Sequence, residues 1–316
     1  MKYRQLGKHG VKVSEVSLGS WLTYGNATEE DTARACIEKA YDLGINFFDT
    51  ANVYARGKSE EVVGRALAAY DRWSFVLATK VYFPMGEGPN DKGLGRKHIF
   101  EQCHASLKRL GTDYIDLYQA HRYDKETPLE ETLVAFDDLV RQGKVLYYGV
   151  SQWTAGEIAH ATDIVRMGRL HPIASNQPYY NALGRDLEKE VIPLCGREGI
   201  GLVVYSPLAQ GLLTGKYRPG QPLPADSRAA DPSQNMFLNN GKLDETVLEK
   251  VQKLQPIAER NGLTMSQLAL AWCLRRSEVS SVIIGASKPS QVEDNAGASG
   301  VTLSAVDVEE MDASLA

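Results

Sequence analysis

Short apolar runs alternate along the chain with longer stretches in which apolar residues recur at the helical period. Tyr3 to Leu6 and Val11 to Ser14, joined by Gly7-Lys8-His9-Gly10, predict a small hairpin. Beyond it, strands are predicted at Val16 to Leu18, Phe47 to Phe48, Phe75 to Lys80 and Ile115 to His121. Four more are predicted at Val145 to Ser151, Ile173 to Gln177, Leu202 to Tyr205 and Val282 to Ile284. The intervening stretches carry helical spacing. Thr28 is placed to cap a helix through Ala33, Cys36, Ile37, Ala40 and Tyr41. Ser59 is placed to cap one through Val62, Val63, Ala66 and Leu67, with Glu60 and Glu61 suited to its positive start. Further helices are predicted through Ile99 to Leu110, Leu129 to Val140, Thr154 to Met167 and Glu188 to Glu198. Val247, Val251, Leu254 and Ala258 predict one helix, Met265 to Arg276 another, and a last begins near Gln291. Ser206 to Leu243 is too long for an ordinary strand-to-helix connection, and reads as a lid or a partly disordered segment.

Strands and helices alternate over residues 1–316 without a linker or a break in composition, which predicts a single (β/α)8 barrel domain with an N-terminal β-hairpin. The rival α/β architecture, a doubly wound sheet, would want a glycine-rich turn after its first strand, and G-x-G-x-x-G occurs nowhere. With 43% hydrophobic residues the chain has enough for a large core. Its net charge of -5 and the lack of a basic stripe argue against nucleic acid as a partner. No apolar run approaches the roughly 18 residues that span a bilayer, and the first residues lack the apolar segment of a signal peptide. Cys36, Cys103, Cys195 and Cys273 lie far apart within predicted helices, as reduced thiols of a cytoplasmic protein would.

Chemistry gathers at the strand ends, where a barrel of this kind carries its active site. Trp21 follows the first strand, Asp49 and Tyr54 the second, Lys80 the third and His121 the fourth. Ser151 and Gln152 end the fifth, Gln177 the sixth, Tyr205 and Ser206 the seventh, and Gly285 to Lys288 the eighth. An aspartate after a strand is commonly a turn former and a tyrosine is commonly packing, but polar groups at nearly every strand end form a ring. Lys80, directly after Leu77-Ala78-Thr79, needs a partner, and Asp49 on the neighbouring strand is the natural one. Beside Tyr54, the Lys80 ammonium is expected to favour tyrosinate, bringing the phenol toward acid–base work near neutral pH. His121 is placed to hydrogen-bond a carbonyl or to share the proton. A plain ion pair closing the barrel rim is the rival explanation of Asp49 and Lys80. No H-E-x-x-H, C-x-x-C, G-x-S-x-G or P-loop occurs, so no metal site is expected. After the eighth strand, Gly285-Ala286-Ser287-Lys288 leads into a helix start suited to an anion, to which Lys216 and Arg228 can add charge. An ordinary surface loop is the alternative there.

At these residues the sequence resembles the aldo-keto reductases over essentially its whole length. The family's Asp, Tyr, Lys and His tetrad matches Asp49, Tyr54, Lys80 and His121 in order and context. The stretches Gly44 to Ala51, Ser206 to Gly211 and Ile284 to Ser287 resemble the branch that contains the potassium-channel β subunits. The resemblance implies NADPH bound in an extended pose without a Rossmann fold. Ser20, Trp21, Asp49 and Gly285 would contact it, with Ser151, Gln152 and Gln177 on the carboxamide and Tyr205 stacked on the ring. Ser206, Pro207, Leu208, Ala209, Gln210 and Gly211 would line the pyrophosphate with Lys216. Arg228, Ser287 and Gln291 would hold the adenosine 2′-phosphate, and Asp294 and Asn295 the adenine.

The resemblance further implies reduction of an aldehyde or ketone, with Tyr54 as proton donor and His121 orienting a small carbonyl substrate. Trp21, Tyr24, Tyr54, Tyr82, His121 and Trp153 would wall the substrate pocket, although Trp21, Tyr24, Tyr82 and Trp153, as aromatics near strand ends, are equally compatible with barrel packing. That branch also implies a homo-tetramer. The animal channel subunits carry Asn where this chain has His121, and some carry a long N-terminal extension that is not expected here. Two rival functions stay open: a Schiff-base enzyme using Lys80, and a regulatory subunit that binds NADPH, docks on a membrane protein and turns over little.

Overall fold

The computed structural model describes residues 1–21, 24, 30–225, 227–231, 235, 238 and 243–316. An antiparallel hairpin, β1 (Tyr3–Gln5) and β2 (Lys12–Ser14), comes first. The parallel strands follow as β3 (Val16–Gly19), β4 (Phe47–Asp49), β5 (Val76–Val81) and β6 (Ile115–Ala120). Then come β7 (Val145–Ser151), β8 (Ser175–Gln177), β9 (Gly201–Tyr205) and β10 (Val279–Ile284). They pair in sequence, and β10 closes on β3, giving a closed eight-stranded (β/α)8 barrel.

The helices α1 (Glu30–Asp42), α2 (Lys58–Leu67), α3 (Arg96–Leu110), α4 (Leu129–Arg141), α5 (Ala155–Gly168) and α6 (Val191–Glu198) each follow a strand. α7 (Glu245–Gln252), α8 (Gln255–Arg260) and α9 (Met265–Leu274) precede β10, and α10 (Pro289–Ala296) and α11 (Ala305–Leu315) follow it. Among the described residues no helix is long and apolar enough to cross a membrane.

The alternation of side chains along a strand divides two cores. Leu18, Phe48, Leu77, Tyr118, Val150 and Val204 face outward and pack against the helices. Phe47, Val76, Ala78, Leu117 and Val203 face inward. By the same period of two, Asp49, Lys80, Gln119 and Tyr205 also face inward, one layer further up. Leu6 and Val13 of the hairpin join the inner cluster and fill the barrel's lower end. The polar layer therefore lies at the opposite, C-terminal end.

Local sequence accounts for most boundaries. Thr154 caps α5 and Thr264 caps α9 through reciprocal bonds with Glu157 and Gln267. The single helix predicted over Val247 to Ala258 is two, because Pro256 lies in the first turn of α8 and cannot continue a helix from α7. Ser59 does not cap α2. The cap is Gly57 at φ +91°, and a Cβ there would fall 2.7 Å from the Arg109 side chain. Ser59 instead lies buried inside the helix, its hydroxyl 3.3 Å from that of Thr50. The expected cap at Thr28 lies outside the described residues. All four cysteines are free and buried.

One ion cluster fixes the loop after β8. Glu188 accepts from the Tyr180 hydroxyl at 2.5 Å, Arg275 at 2.7 Å and Arg185 at 2.9 Å, tying that loop to the end of α9. Burial pushes the Glu188 carboxyl up, but the hydrogen bonds from Tyr180, Arg185 and Arg275 outweigh it and hold it down from 4.5 to about 2. A depressed folded-state value stabilises above the unfolded value and is lost as pH falls through the folded one. Glu188→Gln should therefore cost about 1–2 kcal/mol at pH 7, allowing for partial solvent screening. In urea titrations the difference from wild type should shrink between pH 4.5 and about 2; a difference that does not change with pH would refute the assignment.

Candidate active site

Asp49 is the last residue of β4, and its carboxylate turns into the barrel. The chain then bends sharply. Thr50 N–H donates to the Ala78 carbonyl at 2.9 Å and Asn52 N–H to the Lys80 carbonyl at 3.2 Å, so the bend is stitched to β5. Ala55, Arg56 and Gly57 all have positive φ. Two non-glycine residues in the left-handed region store backbone strain, and here they present Tyr54 over the barrel mouth.

Lys80 is fully buried, and its three ammonium hydrogens each have a direction. Nζ lies 2.5 Å from Asp49 Oδ2, 2.8 Å from the Thr50 carbonyl and 3.4 Å from Tyr54 Oη. The second carboxylate oxygen, Oδ1, accepts from Gln177 Nε2 at 2.9 Å and Gln119 Nε2 at 3.3 Å. A buried charge is tolerable only when so paired. The Tyr54 ring stands edge-on to His121, with centroids 5.6 Å apart, and Phe83 meets the other side of the imidazole at 4.9 Å.

These contacts set the protonation states. Burial holds the Tyr54 phenol well above its ordinary range, Asp49 adds to this, and Arg122 works against it. The expectation that Lys80 brings the phenol toward tyrosinate is thus corrected. Its ammonium is held by Asp49, and burial outweighs its pull on the phenol proton, so the phenol stays protonated. Burial lowers the Lys80 amine while Asp49 pulls it back. Burial, Lys80 and Arg122 hold His121 well below its ordinary range, so it is a neutral imidazole and has no spare proton to share. Its buried Nδ1 has no partner among the described residues.

A cavity of about 1450 Å³ opens above these groups and runs across the barrel mouth. Near the tetrad it is lined by Trp21, Tyr24, Asp49, Tyr54 and His121. Ser151, Gln152, Gln177 and Tyr205 form the floor beside them. Ser151 Oγ donates to the Gln177 carbonyl at 2.9 Å, and Gln152 Nε2 hydrogen-bonds the Tyr205 hydroxyl. The next wall is Ser206, Pro207, Leu208, Gln210 and Gly211, with Lys216. Ser206, Ala209, Gln210 and Gly211 have positive φ. The far end holds Arg228, Gly285, Ser287, Gln291, Asp294 and Asn295.

Some expected residues lie elsewhere. Lys80 is sealed behind Tyr54. Ser20 and Ala209 are buried and do not line the cavity. Ser20 N–H donates to the Asp49 carbonyl at 3.0 Å. Tyr82 and Trp153, expected in the substrate wall, do not reach it. Tyr82 packs against the outer core, and Trp153 is buried there against Tyr123, ring centroids 4.9 Å apart. Phe83 and Arg122 line the wall instead, and so do Tyr179, Gly184 and Leu187 of the loop after β8. Gln119 was also missed. Its signal was available, as an inward position one step before His121 on the same strand.

The far end suits an anion. Arg228 is half-buried, and burial is the main influence on its guanidinium, which it disfavours. Its side-chain partner is neutral: Nη1 donates to Gln210 Oε1. Among the described residues no carboxylate forms an ion pair with it. A phosphate would satisfy it. The start of α10 lies at the same end, where the Ser287 N–H donates to Gln291 Oε1 at 2.8 Å. No group of three metal-ligating side chains occurs among the described residues.

Residues 15–316 match the Aldo/keto reductase family. The chain is 45% identical over 299 residues to an Arabidopsis thaliana protein described as "Probable voltage-gated potassium channel subunit beta", covering 93% of this chain and 90% of that one. An Oryza sativa subsp. japonica protein with the same description is 44% identical over 299 residues, with the same coverage.

The ion pair itself is testable. Lys80→Met leaves Asp49 buried with only amide donors and should cost about 3–5 kcal/mol in urea unfolding. Adding Asp49→Asn removes the stranded charge and should recover most of that loss. A double variant no more stable than Lys80→Met would mean that the two charges are not coupled.

Proposed function

The chain belongs to the aldo/keto reductase family, and from that premise we propose that it reduces aldehydes or ketones to alcohols with NADPH. The observation that carries this reading is the placement of Lys80 Nζ between Asp49 and Tyr54 at the mouth of the cavity, with His121 against the phenol. NADPH, when bound, supplies the hydride. Every other part is played by side chains.

Tyr54 gives its proton to the carbonyl oxygen. A general acid must hold its proton until the reaction calls for it, and a phenol kept high by burial does so. The oxygen that receives it is a far stronger base than phenolate, so the transfer stays downhill. Once the proton has left, Lys80 at 3.4 Å stabilises the negative phenolate oxygen. Asp49 keeps Lys80 charged and fixes its direction. His121, neutral, donates a hydrogen bond to the carbonyl, orienting and polarising it without titrating.

The rest of the cavity fits an extended dinucleotide. Ser151, Gln152 and Gln177 would hold the carboxamide end, and Tyr205 would stack on the ring. The wall from Ser206 to Gly211, with Lys216, would take the pyrophosphate. Arg228, Ser287 and Gln291 would take the 2′-phosphate, and Asp294 and Asn295 the adenine. The carboxylate-free guanidinium of Arg228 supports a phosphate at that end.

The description carried by the plant relatives favours a second reading, a cofactor-binding subunit of a potassium channel with little turnover. A panel of aldehydes and ketones, followed by loss of NADPH absorbance, separates the two. The reductase reading expects steady multiple turnover with at least one class of carbonyl.

Tyr54→Phe removes the proton donor and leaves the cofactor cavity intact. Turnover should fall at least ~100-fold, the usual scale for a general acid, with NADPH affinity little changed. Near-normal turnover would refute the assignment. For the cofactor, fluorescence titration should give tighter binding of NADPH than of NADH, and Arg228→Ala should shrink that ratio by about tenfold or more, as expected on losing a charge-assisted bond. Equal affinities in the wild type would sink the 2′-phosphate site.

A further inference from the structure

The cations in and directly beneath the cavity divide into two groups. Lys216 and Arg228 stand along the wall and at the far end. Lys80, at the tetrad, is spent: its three hydrogens go to Asp49, the Thr50 carbonyl and Tyr54. A fourth cation, Arg122, belongs to neither group. It follows His121 directly and lines the cavity with Tyr54 and His121. Its charge is felt by the Tyr54 and Tyr205 phenols, the His121 ring and the Lys80 amine.

Arg122 is half-buried, and its known bonding is slight. Nη1 donates to the His121 carbonyl at 2.6 Å. The guanidinium carbon lies 5.4 Å from the centroid of the Phe83 ring. A guanidinium offers five N–H donors, and among the described residues the rest find no side chain or carbonyl. No described carboxylate forms an ion pair with it. Asp49 is occupied by Lys80, Gln119 and Gln177, while Asp294 accepts from Thr264 and Gln267. A half-buried guanidinium without a counter-charge, lining the cavity beside the reacting groups, is placed to take an anion from a ligand.

We propose that Arg122 binds an anionic group on the substrate, so that the compound reduced here carries a carboxylate or a phosphate ester close to its carbonyl carbon. This rests on the reductase reading above. The geometry gives the substrate two anchors. His121 and Tyr54 take the carbonyl oxygen, and the Arg122 fork takes the anion, held in place by its bond to the His121 carbonyl and by Phe83. Planar recognition of a carboxylate or phosphate is what a guanidinium does better than an ammonium. Arg122 is in this sense a specificity-determining residue. It also explains why the wall near the tetrad, rich in aromatic rings, contains one unpaired cation.

The test compares matched substrates with NADPH: glyceraldehyde 3-phosphate against glyceraldehyde, and succinic semialdehyde against butanal. In the wild type the anionic member of at least one pair should have a kcat/KM at least about tenfold higher, as expected for a charged hydrogen bond. The pair that shows it distinguishes phosphate from carboxylate. Arg122→Met should erase the preference, chiefly by raising KM for the anionic member, and Arg122→Lys should restore only part of it. No preference in either wild-type pair, or equal losses on both members in Arg122→Met, would overturn the proposal.

A readout without turnover accompanies this. Calorimetric titration of the NADPH-loaded protein with glycerol 3-phosphate or butyrate should show binding at least about tenfold weaker in Arg122→Met, with glycerol as the uncharged control. Absence of binding of both anions by the wild type also overturns the proposal. If carbonyls of both charges are reduced equally, the anion site falls and the reductase stands. If no carbonyl is reduced but anion binding depends on Arg122, the reductase reading falls and the anion site stands.

Discussion

One buried ion pair organises the molecule's chemistry. Lys80 and Asp49 lie in the barrel's topmost inner layer, where Lys80 Nζ is 2.5 Å from the carboxylate and water has no access to the amine. Removing two charges from water is expensive, and the cost is offset only because every hydrogen of the ammonium and both carboxylate oxygens have partners. That demand reaches outward. It requires Gln119 and Gln177 as donors, the Thr50 carbonyl as acceptor, and the sharp left-handed turn that carries Tyr54 to within 3.4 Å. A simple rim-closing salt bridge would need none of these.

The strand period makes such a site inexpensive to build. Inner positions below are apolar, from Phe47, Val76, Ala78 and Leu117, and the same parity continued upward yields Asp49, Lys80, Gln119 and His121. The apolar lower layers and the hairpin exclude water from beneath, so the electrostatics of the upper layer act in a low-dielectric floor. The cavity meets this layer from one side only.

The architecture was legible in the sequence because its signals are local. Apolar runs such as Val145 to Ser151 and capping pairs such as Thr154 with Glu157 specify strand and helix without reference to distant residues. The clustering of Asp49, Tyr54, Lys80 and His121 was legible because Asp49, Lys80 and His121 stand at or just after strand ends, with Tyr54 in the turn beyond Asp49. What failed depended on direction or on neighbours. The Ser59 cap lost to Gly57 because the turn before it is left-handed. Tyr82 and Trp153 are aromatic residues near strand ends, as expected of a pocket wall, yet their rings face the helices. The protonation of Tyr54 depends on how far burial outweighs Lys80, which spacing alone does not report. The loop after β8 gave no signal at all, since Tyr179, Gly184 and Leu187 are placed by the Glu188 cluster, which is anchored through Arg275, 87 residues away in sequence.

The hairpin at the base has a consequence for how the chain reaches this structure. Arg4 donates to the carbonyls of Leu274, Arg276 and Val279, a separation in sequence of 270 to 275 residues. Leu6 lies in the same inner cluster as Ile283 of the last strand. The hairpin thus finds its seat only when β10, made some 270 residues later, is in place. Until then the half-built sheet has two open edges and an unplugged base, and contacts of such high sequence separation form slowly. Closure of this barrel is therefore a long-range event, in which its first and last strands meet to complete a ring that neither half can close alone.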